Sequence, residues 1–211
     1  MLQRFTGINN EELIKNSISR LEIVNCRVVF LDVAKQDTSK VLAFTLFRNF
    51  LKSLELPENE HGYFLFQLLI TDKQRDIHQY IRHQLGRNWA DIRTKMFEYS
   101  KAIKEIFIRK GNSEADYQNL FTSVCRDIDQ FSAARFRDEL INYFEVVKDE
   151  KVVFIFDEAS EALNQNKYSL TDLEGISEAL SDSKLNNLTW TIAIAQEKLD
   201  DGHRADVLAA D

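Results

Sequence analysis

Three stretches of the chain are apolar almost without a break. They are Arg27-Val28-Val29-Phe30-Leu31-Asp32-Val33, Lys151-Val152-Val153-Phe154-Ile155-Phe156-Asp157-Glu158 and Leu188-Thr189-Trp190-Thr191-Ile192-Ala193-Ile194-Ala195. Each is rich in β-branched and aromatic residues. Continuous runs of that kind suit a parallel sheet covered on both faces better than a sheet with one wet face. Strands are therefore expected at 28–33, 152–157 and 189–195.

The segments between them carry apolar residues at helical spacing. Val41, Leu42, Phe44, Phe47, Phe50, Leu51 and Leu54 form one wide stripe. Asp37-Thr38-Ser39 precedes it as an N-cap cluster, and Pro57 follows it as the expected stop. Further stripes run through Ile77, Tyr80, Ile81 and Leu85, then Trp89, Ile92, Met96, Tyr99, Ile103 and Ile106. A last long run from Ser113 to Val147 has room for a break near Ser132, and a short helix follows from Leu170 to Leu180. The order is strand, helices, strand, helix, strand, which predicts an α/β protein with a small parallel sheet. The first crossover is far longer than the ~12 residues a crossover needs. Its excess, residues 60–148, reads as a large helical insertion beside the sheet.

Composition keeps this picture within one domain. The chain has 211 residues, 44% hydrophobic and 29% charged, which excludes a disordered or fibrous protein. Fifteen Phe, six Tyr and two Trp supply bulk for a core. A net charge of -7 argues against a free-standing nucleic-acid coat. No apolar run is long enough to span a membrane, and Met1-Leu2-Gln3-Arg4-Phe5 opens no signal-peptide pattern, so a cytoplasmic protein is expected. Cys26 and Cys125 read as two reduced thiols. His61, His78, His83 and His203 lack a zinc-ligand spacing.

The glycines remove whole classes of site. Gly7, Gly62, Gly86, Gly111, Gly175 and Gly202 never fall closer than 24 positions apart. That leaves no Gly-x-x-x-x-Gly-Lys phosphate loop, no Gly-x-Gly-x-x-Gly and no Gly-x-Ser-x-Gly elbow.

One segment carries candidate chemistry. Val152 to Phe156 run straight into the adjacent acids Asp157 and Glu158. A buried strand would thus deliver two carboxylates at its carboxyl end, where open α/β sheets keep their ligand crevice. Neighbouring side chains on a strand point to opposite faces, so the two acids are expected to do different jobs. One could hold a hydrated Mg²⁺ and the other could orient or deprotonate an attacking water.

This segment resembles the Walker B strand of P-loop ATPases that use a catalytic glutamate, the AAA+ and STAND proteins among them. The resemblance implies Asp157 as the magnesium-side acid and Glu158 as the catalytic base. It implies Gln196, at the end of the next strand, as a catalytic sensor residue, although that family more often has Asn or Thr there. Phe156-Asp157-Glu158-Ala159-Ser160 together with Trp190 to Asp201 is similar, over about 50 residues, to the large P-loop ATPases of bacterial anti-phage systems of the bacteriophage-exclusion (BREX) type. In that frame the three strands are numbers 4, 3 and 2 of a 5-1-4-3-2 sheet, lying in the order 4-3-2. Residues 1–211 are then a single partial P-loop ATPase domain without its Walker A segment, a fragment or degenerate copy. ATP and Mg would be cofactors of the intact parent, with neither bound by this chain alone. The edge of the strand Thr189 to Ala195 would be open for a protein partner or for self-association, and nucleic acid would enter only through the parent assembly.

A rival reading is a non-catalytic helical α/β interaction module. A metal-dependent nuclease or phosphatase built on Asp157 and Glu158 is a third, weakened by the lack of further acids at a two-metal spacing. The basic stretch Arg75, His78, Arg82, His83, Arg87 and Arg93 reads as a solvated helix face, because Asp72, Asp76 and Asp91 are interspersed. Arg135 and Arg137 are candidates for an arginine finger that nothing in the sequence selects.

Overall fold

The computed structural model describes residues 25–36 and 41–194. The segment Asp37-Thr38-Ser39 and the residue Gln196 lie outside them. Three strands form the sheet: β1 (Asn25–Asp32), β2 (Glu150–Asp157) and β3 (Thr189–Ala193). The order is β1-β2-β3, with both pairings parallel. Val28 stands beside Val153 and Val153 beside Trp190, so one register runs across all three strands. The expected strand order and direction are those observed. β1 starts earlier than the apolar run alone indicates, because Asn25 and Cys26 pair with Glu150 and Lys151.

Seven helices fill the crossover between β1 and β2. They are α1 (Leu42–Ser53), α2 (Glu60–Thr71), α3 (Ile77–Leu85), α4 (Trp89–Ile92), α5 (Met96–Arg109), α6 (Glu114–Asp129) and α7 (Ala133–Val146). After β2 come the short α8 (Ala159–Asn164) and α9 (Leu170–Leu180), then a 3₁₀ turn at Ser183–Leu185 leading to β3.

Local chemistry sets most boundaries. Asn59, Asp76, Ser113, Ser132 and Ser169 each accept hydrogen bonds from backbone N–H groups of the following first turn. Ser113 with Asp116 and Ser169 with Asp172 are full capping boxes. The break at Ser132 therefore separates α6 from α7 as expected.

The stop after α1 has a different cause from the one expected. α1 ends at Ser53, and Glu55 adopts φ 60°. The Leu56 N–H bonds to the Leu51 carbonyl and the Glu55 N–H to the Lys52 carbonyl. This is a Schellman closure, complete before Pro57 is reached. Lys73 after α2 and Asn166 after α8 repeat it, at φ 54° and φ 52°. Three left-handed C′ positions are thus filled by residues other than glycine. This explains how so many helices end in a chain so poor in glycine.

The core lies between the sheet and the helices on one of its faces. Val29, Leu31, Val152, Phe154 and Phe156 point into it. Phe50 of α1 and Phe136 of α7 lie on Phe154, at ring distances of 6.4 and 5.4 Å. Phe47 is fully buried and meets Tyr63, Phe66, Phe131 and Phe136. α2 is apolar nearly all round, burying Tyr63, Phe64, Leu65, Phe66, Leu68 and Leu69, so it serves as the central helix of the insertion. Phe64 joins it to an outer layer through Phe107 of α5 and Tyr117 of α6.

The opposite face of the sheet departs from expectation. Val28, Phe30, Trp190, Ile192 and Ile194 are 42–54% exposed, and Val153 and Ile155 are half-buried. Among the described residues no helix covers them. The continuous apolar runs predict two covered faces, and the described helices supply one.

Candidate functional site

β2 is the central strand, so its carboxyl end has neighbours on both sides. Asp157 is its last residue and pairs in register with Asp32, the last residue of β1. The Val33 N–H bonds to the Asp157 carbonyl at 2.9 Å, and the Ile194 N–H to the Phe156 carbonyl at 2.7 Å. The two outer chains are therefore tied to β2 up to the point where it ends.

Glu158 has already left the ladder. It adopts φ 55° and ψ 32°, and it is the residue before α8. A non-glycine residue in this left-handed conformation costs about 1 kcal/mol or more, and such residues gather where the surrounding structure over-determines them. The alternation of side chains along a strand therefore does not separate the two acids. The sharp turn does. The Asp157 carboxylate accepts a hydrogen bond from the Glu158 N–H at 3.0 Å, and this holds the turn shut.

The turn sends Glu158 into a cleft of about 570 Å³, lined also by Asp32, Lys35, Glu161, Gln165 and Lys167. Asp157 is half-buried at the strand end and does not line the cleft. Asp32 is fixed by Lys35, whose ammonium lies 2.6 Å from its carboxylate and whose backbone N–H donates at 3.2 Å. The hydrogen bond from Lys35 holds the Asp32 carboxyl below its ordinary range. Asp32 in turn holds the Lys35 ammonium above its usual value, with weaker help from the charges of Glu158 and Asp157. Lys167 donates to the Ala34 carbonyl and closes the cleft from the α8 side.

Asp157 and Glu158 thus come together with Asp32 and Lys35, two residues that sequence reasoning did not assign to the site. The available signal was that Asp32 ends the first apolar run as Asp157 ends the second. Gln196 lies outside the described residues. Carboxylate oxygens are the donor type that Mg²⁺ takes, and a hydrated Mg²⁺ needs only one or two of them besides phosphate oxygens. Among the described residues, no group of three His, Cys, Asp or Glu side chains is arranged to grip a metal directly. The donor chemistry fits a water-mediated Mg²⁺ shared with a nucleotide, and does not fit a cage made by protein alone.

The remaining candidates sort by their partners. Arg75 pairs with Asp149, His78 and Arg93 with Glu55, and Arg87 with Glu98, all at exposed positions. These positions are solvated as expected, but the acids that pair with them are Asp149, Glu55 and Glu98, not the interspersed Asp72, Asp76 and Asp91. Arg135 is bound to Tyr63, Glu139 and Asp127, and Arg137 to Asp138 and Asp182. Cys26 is an exposed thiol on β1 and Cys125 a half-buried one on α6; neither is in a disulfide.

A second cavity, of about 400 Å³, lies at the opposite end of the sheet, where β1 and β2 begin. Its charges are matched in pairs. Arg27 lies 2.8 Å from Glu150, which also accepts the Tyr143 hydroxyl, and Arg75 faces Asp149. Its lining includes the left-handed Glu55, which pairs with His78 and Arg93, and it lies away from the acidic end of β2. Among the described residues, no helix is long and apolar enough to cross a membrane.

Comparison with known proteins assigns no family. No family model, no curated protein and no solved structure matches this chain.

Proposed function

We propose that this chain is the Walker B part of a P-loop ATPase nucleotide-binding domain, with the triphosphate cradle supplied by polypeptide outside residues 1–211. The observation that carries the reading is the central strand of a parallel sheet whose order is that of strands 4-3-2. It delivers Asp157 and then, through a strained left-handed turn, Glu158 into a cleft at its carboxyl end. Asp157 would hold the waters of a nucleotide-bound Mg²⁺. Glu158 would take the proton of the attacking water. Gln196 would sense the γ-phosphate. Closure of such a site would move the helical insertion, and defence against phage is the process the resemblance points to.

Hydrolysis needs groups this chain lacks. Backbone N–H groups of a glycine-rich loop neutralise the phosphates, and a lysine reaches the transferred one. The isolated chain is therefore expected to show no ATP turnover. The test is to extend it by the coding sequence upstream. That sequence should carry Gly-x-x-x-x-Gly-Lys followed by Ser or Thr. The extended protein should hydrolyse ATP, and Glu158→Gln should lower turnover by about 10²-fold or more, the scale of a lost general base. An upstream sequence without the loop ends the reading. So does turnover by residues 1–211 alone that Glu158→Gln abolishes, because the site would then be complete.

One observation favours a second reading. The outer edge of β3 carries no strand among the described residues, and its apolar side chains are exposed. A non-catalytic module that docks a partner by strand addition would use that edge. Partner capture insensitive to Asp157→Ala and Glu158→Gln, but lost on disrupting the edge, would select it.

A further inference from the structure

The α5–α6 pair is joined to α2 along a seam of rings. Near its middle, Phe64 meets Phe107 of α5 and Tyr117 and Phe121 of α6. One turn nearer the start of α2, the His61 imidazole lies 4.6 Å from the Phe121 ring and 5.9 Å from that of Tyr99. Asn59, the N-cap of α2, donates to the Tyr99 hydroxyl at 2.8 Å. Past the other end of α2, Lys110 pairs with Asp72, which also accepts the Tyr80 hydroxyl. Of the side chains in the ring seam, His61 is the one whose type changes charge near neutral pH.

Its surroundings suit an uncharged imidazole. The Nδ1 atom is buried and has no hydrogen-bond partner. Protonation would put an N–H there with nothing to receive it, and an unpaired buried donor is costly, more so on a charged ring. His61 also stands in the first turn of α2, where the positive end of the helix dipole disfavours a cation. Facing it, α5 presents Tyr99, with Lys95 one turn earlier, and α6 presents Phe121, with Tyr117 and Cys125 one turn to either side. The attraction of a cation to the Phe121 face is a smaller effect than the solvation lost on burial. Burial holds the imidazole below its ordinary 6.5, and the charge of neighbouring Glu60 opposes this without offsetting it.

The geometry points to His61 as an acid-sensitive latch between α2 and the α5–α6 pair. When its ring takes a proton, the pair comes away from the amino-terminal end of α2, while Lys110 and Asp72 hold the far end. A histidine whose folded value is lowered binds its proton more weakly closed than open. The seam is therefore fully closed above about pH 6.5 and opens as pH falls below it. Opening uncovers Phe64 and Phe107, which are buried while the seam is closed. The latch uses neither acid of the strand end and stands whether or not the chain belongs to an ATPase.

Hydrogen exchange of the full chain, read by mass spectrometry as protection factors, tests this. Peptides covering α5 and α6 should be about fivefold to tenfold less protected at pH 5.5 than at pH 7.5, as linkage to one proton requires. Peptides from α1, α7 and β2 should keep their protection. In nuclear magnetic resonance spectra the His61 ring should titrate below 6.5. His61→Phe keeps a ring against Phe121 and removes the titrating nitrogen, so its seam should be equally protected at both pH values. If that variant does not fold, His61→Gln, uncharged throughout, should show a weaker seam with the same flat response. The latch is overturned if wild-type protection of the seam does not change with pH, or if His61 titrates at or above 6.5. It is overturned equally if the variants keep the wild-type response, or if α1, α7 and β2 lose protection in step with the seam.

Discussion

Glu139 is 4% exposed, on α7, and its carboxylate accepts the Tyr63 hydroxyl at 2.5 Å and the Arg135 guanidinium at 2.9 Å. Burial raises its pKa above the ordinary 4.5, and those two partners oppose the rise. A carboxyl whose folded value is raised binds its proton more tightly folded than unfolded. Its contribution to stability is therefore full below the unfolded value and is lost as pH rises through the folded one. Chemical denaturation of the wild type and Glu139→Gln should show the margin of the wild type widening as pH falls from neutral towards 4.5. A margin that narrows would mean the ionised form is the favoured one. At the surface the residue-scale test is simpler. Lys73 is exposed and holds φ 54° at the end of α2. Lys73→Gly removes the Cβ penalty of that conformation, and the unfolding free energy should rise by roughly 0.5–1 kcal/mol.

Helices meet the rest of the molecule through a few close approaches. Gly62 sits in the first turn of α2, where an added Cβ would stand 1.7 Å from the Pro57 carbonyl oxygen. The obstacle is backbone, which cannot swing aside as a side chain can. Gly62→Ala should cost about 3 kcal/mol or more, read as a lower denaturation midpoint, with α2 pushed off the turn at Pro57. Phe47 joins α1 to α2 and α7 through three ring contacts, with Tyr63, Phe66 and Phe136, besides its stack on Phe131 between α6 and α7. Phe47→Ala should cost about 3–5 kcal/mol, because rings from several elements would have to collapse into one cavity. At this scale much was legible beforehand. The stripes, the run starting at Ser113, the break near Ser132 and the three apolar strands all declare themselves through spacing and residue type. The Schellman endings at Glu55, Lys73 and Asn166 do not, because nothing in Glu, Lys or Asn as residue types demands a positive φ. Those conformations follow from where each helix must turn to keep its apolar stripe on the core.

Within the described residues the sheet is covered on one face and has an open edge at β3. Parallel pairing uses alternate backbone groups of β3. The Ile194 N–H bonds to β2, so those of Thr191 and Ala193 point away from it. Thr191→Pro deletes a donor from the open edge and leaves the β2 ladder intact. If the edge recruits another copy, sedimentation should show association of the wild type that rises with concentration and weakens in Thr191→Pro. Undiminished association in a folded Thr191→Pro would move the contact elsewhere.

Order along the chain settled the class of this protein, because apolar runs separated by amphipathic ones can pack stably in few ways, and parallel strands need crossovers. It also marked Asp157 and Glu158, since acids that end a buried strand are conspicuous against the apolar run before them. It did not show that Asp32 and Lys35 stand beside them, which depends on β1 and β2 pairing in register across more than a hundred intervening residues. Nor did it show that Glu158 turns into a left-handed bend and enters a cleft that Asp157 does not line. Those are consequences of where the three strands end relative to one another. Side-chain alternation is a local property of a strand, whereas the geometry of a strand end is imposed by its neighbours.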